Sequence, residues 1–205
     1  LEFMSLHRIE ISGAALRHNV GVFRALAPGS QFMAVVKSNA YGHGLQACDH
    51  ALSGLVDWFG VNSLAEARAV RALDAAAPIL VMGGNAGEAD GQAALSGIAP
   101  EAPAGPDRAG PLPANTHFVV SSVAAIDELA RHNPHAPFHV KVDTGLSRLG
   151  AAGAELQKIF AYLKERPDAP WTGLMTHFAN VEDVTDQSYA VEQLRRFVAA
   201  SLAAA

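Results

Sequence analysis

Six short apolar runs punctuate the chain, and stretches of helical periodicity separate them. The runs are 32–37 FMAVVK, 57–61 DWFGV, 78–82 PILVM, 117–120 HFVV, 137–142 PFHVKV and 171–176 WTGLMT. Each is nearly continuously apolar at its centre, the pattern of a strand covered on both faces. Between them, Leu16, Val20 and Phe23 share one helix face behind Ser12, a candidate N-cap. Ser63 to Glu66 reads S-L-A-E, a capping box opening the next helix. Leu156, Ile159, Phe160 and Leu163 fall at helical spacing, and Val191, Leu194, Val198 and Leu202 make a similar stripe near the end. Strands alternating with helices imply right-handed βαβ units and a parallel sheet. Both an open doubly wound sheet and a closed (β/α)8 barrel of the TIM type satisfy that order, and periodicity does not separate them.

The chain has 205 residues, half of them apolar, with a net charge of −5. This is the balance of a soluble globular protein and lacks the basic surface expected of a nucleic-acid binder. No apolar stretch approaches the ~20 residues that span a bilayer. The opening LEFMSLHRIEIS has no apolar signal region. Cys48 is the single cysteine, so no intrachain disulfide forms, which fits a reducing, cytoplasmic setting. LEF (1–3) ahead of Met4 reads as a cloning remnant, leaving 4–205 as one α/β domain. The segment 97–115 carries five of the eleven prolines and is expected to be a mobile surface loop. The run 7–11 HRIEI is a weaker strand candidate. The last helix ends inside its apolar stripe, and about six βα units fall short of the eight in a barrel. An incomplete barrel is therefore expected.

In parallel α/β folds, chemistry gathers at the carboxyl ends of strands. That rule selects Lys37, the loop 141–150 KVDTGLSRLG, and His177. A lysine delivered from an apolar strand loses solvation, which lowers its pKa and frees the amine as a nucleophile or base. Taken alone, it also reads as a lysine snorkelling at a strand exit. Arg148 carries a fork suited to a carboxylate, or to a surface ion pair. His177 alone reads equally as a core or turn histidine, Tyr41 as packing, and Gly42 and Gly44 as turn residues. Lys141 and Asp143, two apart, face one side of a strand and could simply pair. Gly83 to Gly87, GGNAG, lacks the dinucleotide and P-loop spacings and reads as a turn. His132, His135 and His139 match none of the usual zinc spacings, and no metal is expected. Cys48 reads as a small helix-face residue.

Residues 34–44, AVVKSNAYGHG, closely resemble the pyridoxal phosphate (PLP) lysine signature of alanine racemases. KVDTGLSRLG and 173–180 GLMTHFAN resemble two further motifs of that family, in the same order and at similar spacing. The resemblance implies the N-terminal barrel portion of a fold-type III PLP enzyme, with the C-terminal β-domain absent. It implies that Lys37 attaches PLP and acts as one of two catalytic bases, and that Tyr41 bonds the cofactor phosphate. Arg148 would sit near the phenolic oxygen and help hold the substrate carboxylate. His177 would pack beside the pyridine ring, and Val35 and Leu80 would lie near the cofactor. Lys141 matches a position that many relatives carbamylate. The implied activity interconverts L- and D-alanine and supplies D-alanine for peptidoglycan, in a homodimer. A racemase of broader amino-acid specificity and a non-catalytic PLP-binding barrel are the alternatives. The family's second base, a partner-subunit tyrosine, has no counterpart here. The chain alone is therefore expected to be inactive. By the same resemblance HRIEI would pair outside the barrel; without it, the run could be a seventh barrel strand.

Overall fold

The structure is a computed structural model that describes residues 10–74, 76–83 and 112–204. The chain divides into two compact units. The first runs to Leu80 and takes in the stretch just before Thr116; the second holds the remainder.

The first unit alternates helices with short strands. Helix α1 (Gly13–Leu26) precedes β1 (Met33–Val35); α2 (Leu45–Leu52) precedes β2 (Trp58–Val61); α3 (Leu64–Leu73) precedes β3 (Ile79–Val81). Strands β1 and β2 pair in parallel, with Ala34 opposite Phe59. Helices α1 and α3 start where the sequence supplies a cap. Ser12 Oγ accepts the Ala15 N–H at 3.2 Å. Ser63 and Glu66 form the reciprocal box at the head of α3. Phe59, Val61, Ala67 and Ile79 are fully buried and make the core. A side chain of phenylalanine or isoleucine size contributes roughly 1.5–3 kcal/mol when buried this completely. Of the α1 stripe only Val20 is buried; Phe23 stays half-exposed and stacks on Phe32, with centroids 5.9 Å apart. Asp57 fixes the entry to β1. Its Oδ2 accepts the Phe32 N–H at 2.7 Å and Arg24 Nη2 at 2.8 Å, and together they hold the carboxyl below its ordinary range, the Phe32 amide contributing most.

The second unit continues the rhythm with β4 (Thr116–Val120), α4 (Val123–His132), β5 (Phe138–Lys141), α5 (Gly153–Lys164), β6 (Trp171–Met175) and α6 (Ser188–Ala204). Strand β5 pairs in parallel with β4 on one side and β6 on the other. Phe118, Phe138, Val140 and Ile159 are buried to 2 % exposure or less. Behind them Ser122 Oγ caps α4 through the Ala125 N–H at 3.1 Å. His117 and His139 meet on neighbouring strands, rings 5.4 Å apart. Burial and the second imidazole push His117 down to about 4, and burial also lowers His139.

All six apolar runs contain a strand, and the two units are of the α/β class. Two expectations change, and others fall largely outside the described residues. Strand β6 has no fully buried residue, although its sequence reads as covered on both faces. It stands at the end of the strand order, so its outer edge has no partner among the described residues. The stripe of Val191, Leu194, Val198 and Leu202 is exposed, at 48–74 %. Of 7–11 only Glu10 and Ile11 are described, and neither is in a strand. Residues 97–111 of the proline-rich segment, and all of GGNAG but Gly83, lie outside the described residues.

Candidate active site

The candidate residues lie at the carboxyl ends of the strands. Lys37, Tyr41, Val35 and Leu80 belong to the first unit, and Lys141, Arg148 and His177 to the second.

Val36 is buried and extends β1 by one bond, its N–H donating to Gly60 O at 2.8 Å. Lys37 follows and is only half-buried, so the desolvation expected at the strand exit is partial. The chain then makes a left-handed turn. Ser38, Asn39, Ala40 and Tyr41 all have φ between 53° and 55°. L-residues avoid this region at roughly 1–2 kcal/mol each, because Cβ crowds the following carbonyl. Such strain persists only where the surroundings over-determine it. Here Glu66 Oε1 accepts the Ser38 N–H at 2.7 Å, and Asn39 Oδ1 accepts the Leu45 N–H at 2.7 Å. Gly42 N–H reaches Ser38 O at 3.0 Å, and Ala40 is buried. The reversal turns Tyr41 back over the lysine, whose Nζ lies 5.8 Å from the centre of the phenol ring. Gly42 and Gly44, at φ 85° and 94°, release the chain into α2. Leu80 is buried in β3, whereas Val35 is 39 % exposed.

In the second unit Lys141 ends β5 and is buried to 7 % exposure. The loop after it is closed by two backbone bonds, Asp143 N–H to Ala151 O at 2.9 Å and Ala151 N–H to Lys141 O at 2.8 Å. Asp143 Oδ1 accepts the Gly145 and Ser147 N–H groups, which folds the loop and engages that oxygen within it. Arg148 rides at the exposed tip. His177 follows β6 and is exposed. Thr144 and Thr176 join the two loops through a 2.8 Å hydroxyl contact.

These side chains could serve a carbonyl cofactor. An amine able to condense with an aldehyde stands beside a phenol able to donate to a phosphate, both on a backbone held in a strained conformation. The three histidines of 132–139 disperse: His132 pairs with Glu128 on α4, and His139 faces His117. Among the described residues no group of three or more potential metal ligands comes together. A cavity of about 420 Å³ is lined by Ile126, Phe138, Tyr162 and Pro170. It lies at the entry to β5 and β6, the end opposite Lys141 and His177. Cys48 is buried on α2, where burial pushes its thiol up.

The family model for the alanine racemase N-terminal domain matches residues 11–205. The chain belongs to the alanine racemase N-terminal domain family. Alanine racemase of Mannheimia succiniciproducens is 34 % identical over 199 residues, which is 94 % of this chain and 50 % of the relative. That of Acidithiobacillus ferrooxidans is 38 % identical over 187 residues, 90 % of this chain and 46 % of the relative. The chain thus spans about half the length of the curated relatives it matches. Among solved structures, alanine racemase from D-cycloserine-producing Streptomyces lavendulae aligns with 94 % of this chain and 47 % of its own, at TM-score 0.73 and 29 % identity. The Bartonella henselae alanine racemase, described with covalently bound pyridoxal phosphate, aligns at TM-score 0.72 and 26 % identity, over 93 % of this chain and 52 % of its own. These neighbours show the alanine racemase barrel fold.

Two residues bonded to the segments that carry the candidate residues escape sequence reasoning. Glu66 is legible as the closing member of a capping box, but its bond to Ser38 is not. Gln193, fully buried on α6, sits among the apolar residues of a helix stripe and carries no motif.

Proposed function

We propose that this chain is the cofactor-binding barrel portion of a PLP-dependent alanine racemase, interconverting L- and D-alanine and supplying D-alanine for peptidoglycan in the cytoplasm. The carrying observation is the left-handed turn that sets the Tyr41 ring 5.8 Å from Lys37 Nζ at the exit of β1. Family membership supports the same reading.

Lys37 would hold the cofactor covalently, and Tyr41 would donate its hydroxyl to the cofactor phosphate. When bound, PLP supplies an electron sink that acidifies the substrate Cα–H. The Lys37 amine, once exchanged for the substrate amine, would take or return that proton on one face. Arg148, a permanent cation with parallel donors, would hold the substrate carboxylate, and His177 would pack beside the cofactor ring. Val35 and Leu80 would supply apolar contact. Lys141, converted to a carbamate, would present an anion toward Arg148.

Racemisation takes a second base on the opposite face. Beyond Tyr41 the chain has two tyrosines, and both are engaged: Tyr162 donates to Asp127, and Tyr189 donates to Gly145 O at 2.6 Å. On this reading the 205-residue chain binds PLP but racemises negligibly by itself, and the full activity belongs to a homodimer. No helix among the described residues is long and apolar enough to cross a membrane.

The test is to add PLP to this chain, reduce with borohydride and map the labelled peptide. Label confined to Lys37 is expected; label absent from Lys37 or scattered over the lysines overturns the reading.

A further inference from the structure

Gln193 reaches both loops of the second unit from a third element, α6. It is 0 % exposed, in the second turn of α6. Its Oε1 accepts the Ala179 N–H at 2.9 Å. Its Nε2 donates to Thr144 Oγ1 at 3.2 Å and to the carbonyl of His177 at 3.3 Å. The network continues outward: Thr144 Oγ1 meets Thr176 Oγ1, and Thr176 Oγ1 donates to Val142 O at 2.9 Å. Two further bonds from α6 hold the first loop, Arg196 Nη1 to Thr144 O at 3.1 Å and Tyr189 Oη to Gly145 O.

A primary amide buried this deeply is costly unless its donors and acceptor are matched. Here one oxygen accepts a backbone amide and the nitrogen serves two acceptors on different loops. A leucine would fill a similar space without the desolvation cost. What the amide adds is a fixed relation between the segment after β5, which carries Arg148, and the segment after β6, which carries His177. The tertiary bonds are few and specific, whereas the loops themselves expose Arg148 and His177.

We infer that Gln193 is a positioning residue: through Thr144, the His177 carbonyl and the Ala179 amide it locks the Arg148 loop and the His177 loop in one arrangement. Its consequence for cofactor binding rests on the PLP reading above; the lock itself does not.

Hydrogen exchange of the 205-residue chain without cofactor tests the lock. Gln193→Leu is expected to speed exchange about tenfold in both 143–147 and 176–180, the equivalent of one or two lost hydrogen bonds, with β5 unchanged. Thr144→Val removes the Thr144 arm of Gln193 together with the Thr144–Thr176 contact, so 143–147 loosens and Ala179 keeps its protection; Thr176→Val cuts that contact but leaves the Gln193 arm and is expected to loosen 143–147 less, and Thr144→Ser restores wild-type exchange. Unchanged loops in Thr144→Val, or loosening of the whole second unit in Gln193→Leu, overturns the proposal. If Gln193→Leu fails to fold, the Thr144 pair decides. With PLP added, wild type labels Lys37 first, and Thr144→Val then shows about tenfold weaker PLP binding and altered circular dichroism of the bound cofactor. Identical binding and spectrum would confine the lock to structure and overturn its link to the cofactor. Failure of the wild type to label Lys37 would reject the PLP reading while leaving the exchange result to judge the lock.

Discussion

The carboxylate of Glu66 spans two elements: one oxygen accepts the Ser38 N–H at 2.7 Å, and the other accepts the Asn62 N–H at 2.6 Å and the Ser63 N–H at 3.3 Å. The residue that starts α3 also holds the backbone just after Lys37. Glu66→Ala removes both functions and is expected to cost about 1–2 kcal/mol in urea unfolding. Glu66→Gln keeps one acceptor oxygen but sets its NH2 against the remaining backbone N–H, so it is expected to lose half of that or more. A Glu66→Gln variant as stable as wild type would show that the two-sided acceptor does not hold the turn.

Gly150 closes the loop that carries Arg148. Its φ is 135°, and a Cβ there would stand 2.6 Å from the backbone nitrogen of Asp143. Backbone cannot yield as a flexible side chain does. Gly150→Ala is therefore expected to destabilise by roughly 2 kcal/mol or more. A thermal melt within a degree of wild type would contradict it.

The His117–His139 pair makes stability depend on pH. Folded His117 titrates at about 4, below the ordinary 6.5 of the unfolded chain. Between these values the unfolded state binds more protons, so stability rises with pH. The contribution is complete above 6.5 and is lost as pH falls toward 4. Urea midpoints measured from pH 7 to pH 4.5 should decline, and His117→Phe should flatten the decline. An unaltered slope in His117→Phe would exclude the pair as its source.

Lys141 is expected to take up carbon dioxide, its neutral amine forming a carbamate and releasing a proton. Carbon-13 NMR in labelled bicarbonate should show one carbamate signal that Lys141→Ala removes. A spectrum without that signal ends the proposal.

The strands were legible because a doubly covered strand must be apolar throughout; each of the six runs holds a strand, although β6 is not covered in that way. Caps were legible for a local reason: Ser12 and the Ser63–Glu66 box bond within one turn. The signature around Lys37 was legible as a string of residues, but the left-handed turn inside it was not. Ser38, Asn39, Ala40 and Tyr41 include no glycine, and their positive φ is imposed by bonds from Glu66 and Leu45. Periodicity shows that α6 has an apolar face, but not what covers it, so Val191 and Leu194 read as core and are exposed. Gln193 was invisible because its partners lie 14 to 49 residues upstream.

The turn from Ser38 to Tyr41 has a stereochemical consequence. The region near φ 54°, ψ 48° occupied by Ala40 is the mirror image of the ordinary right-handed helix. For a residue of opposite configuration it is the relaxed conformation. A semisynthetic chain carrying D-alanine at position 40 would meet there the backbone geometry that its own chirality prefers, where L-alanine is held under strain.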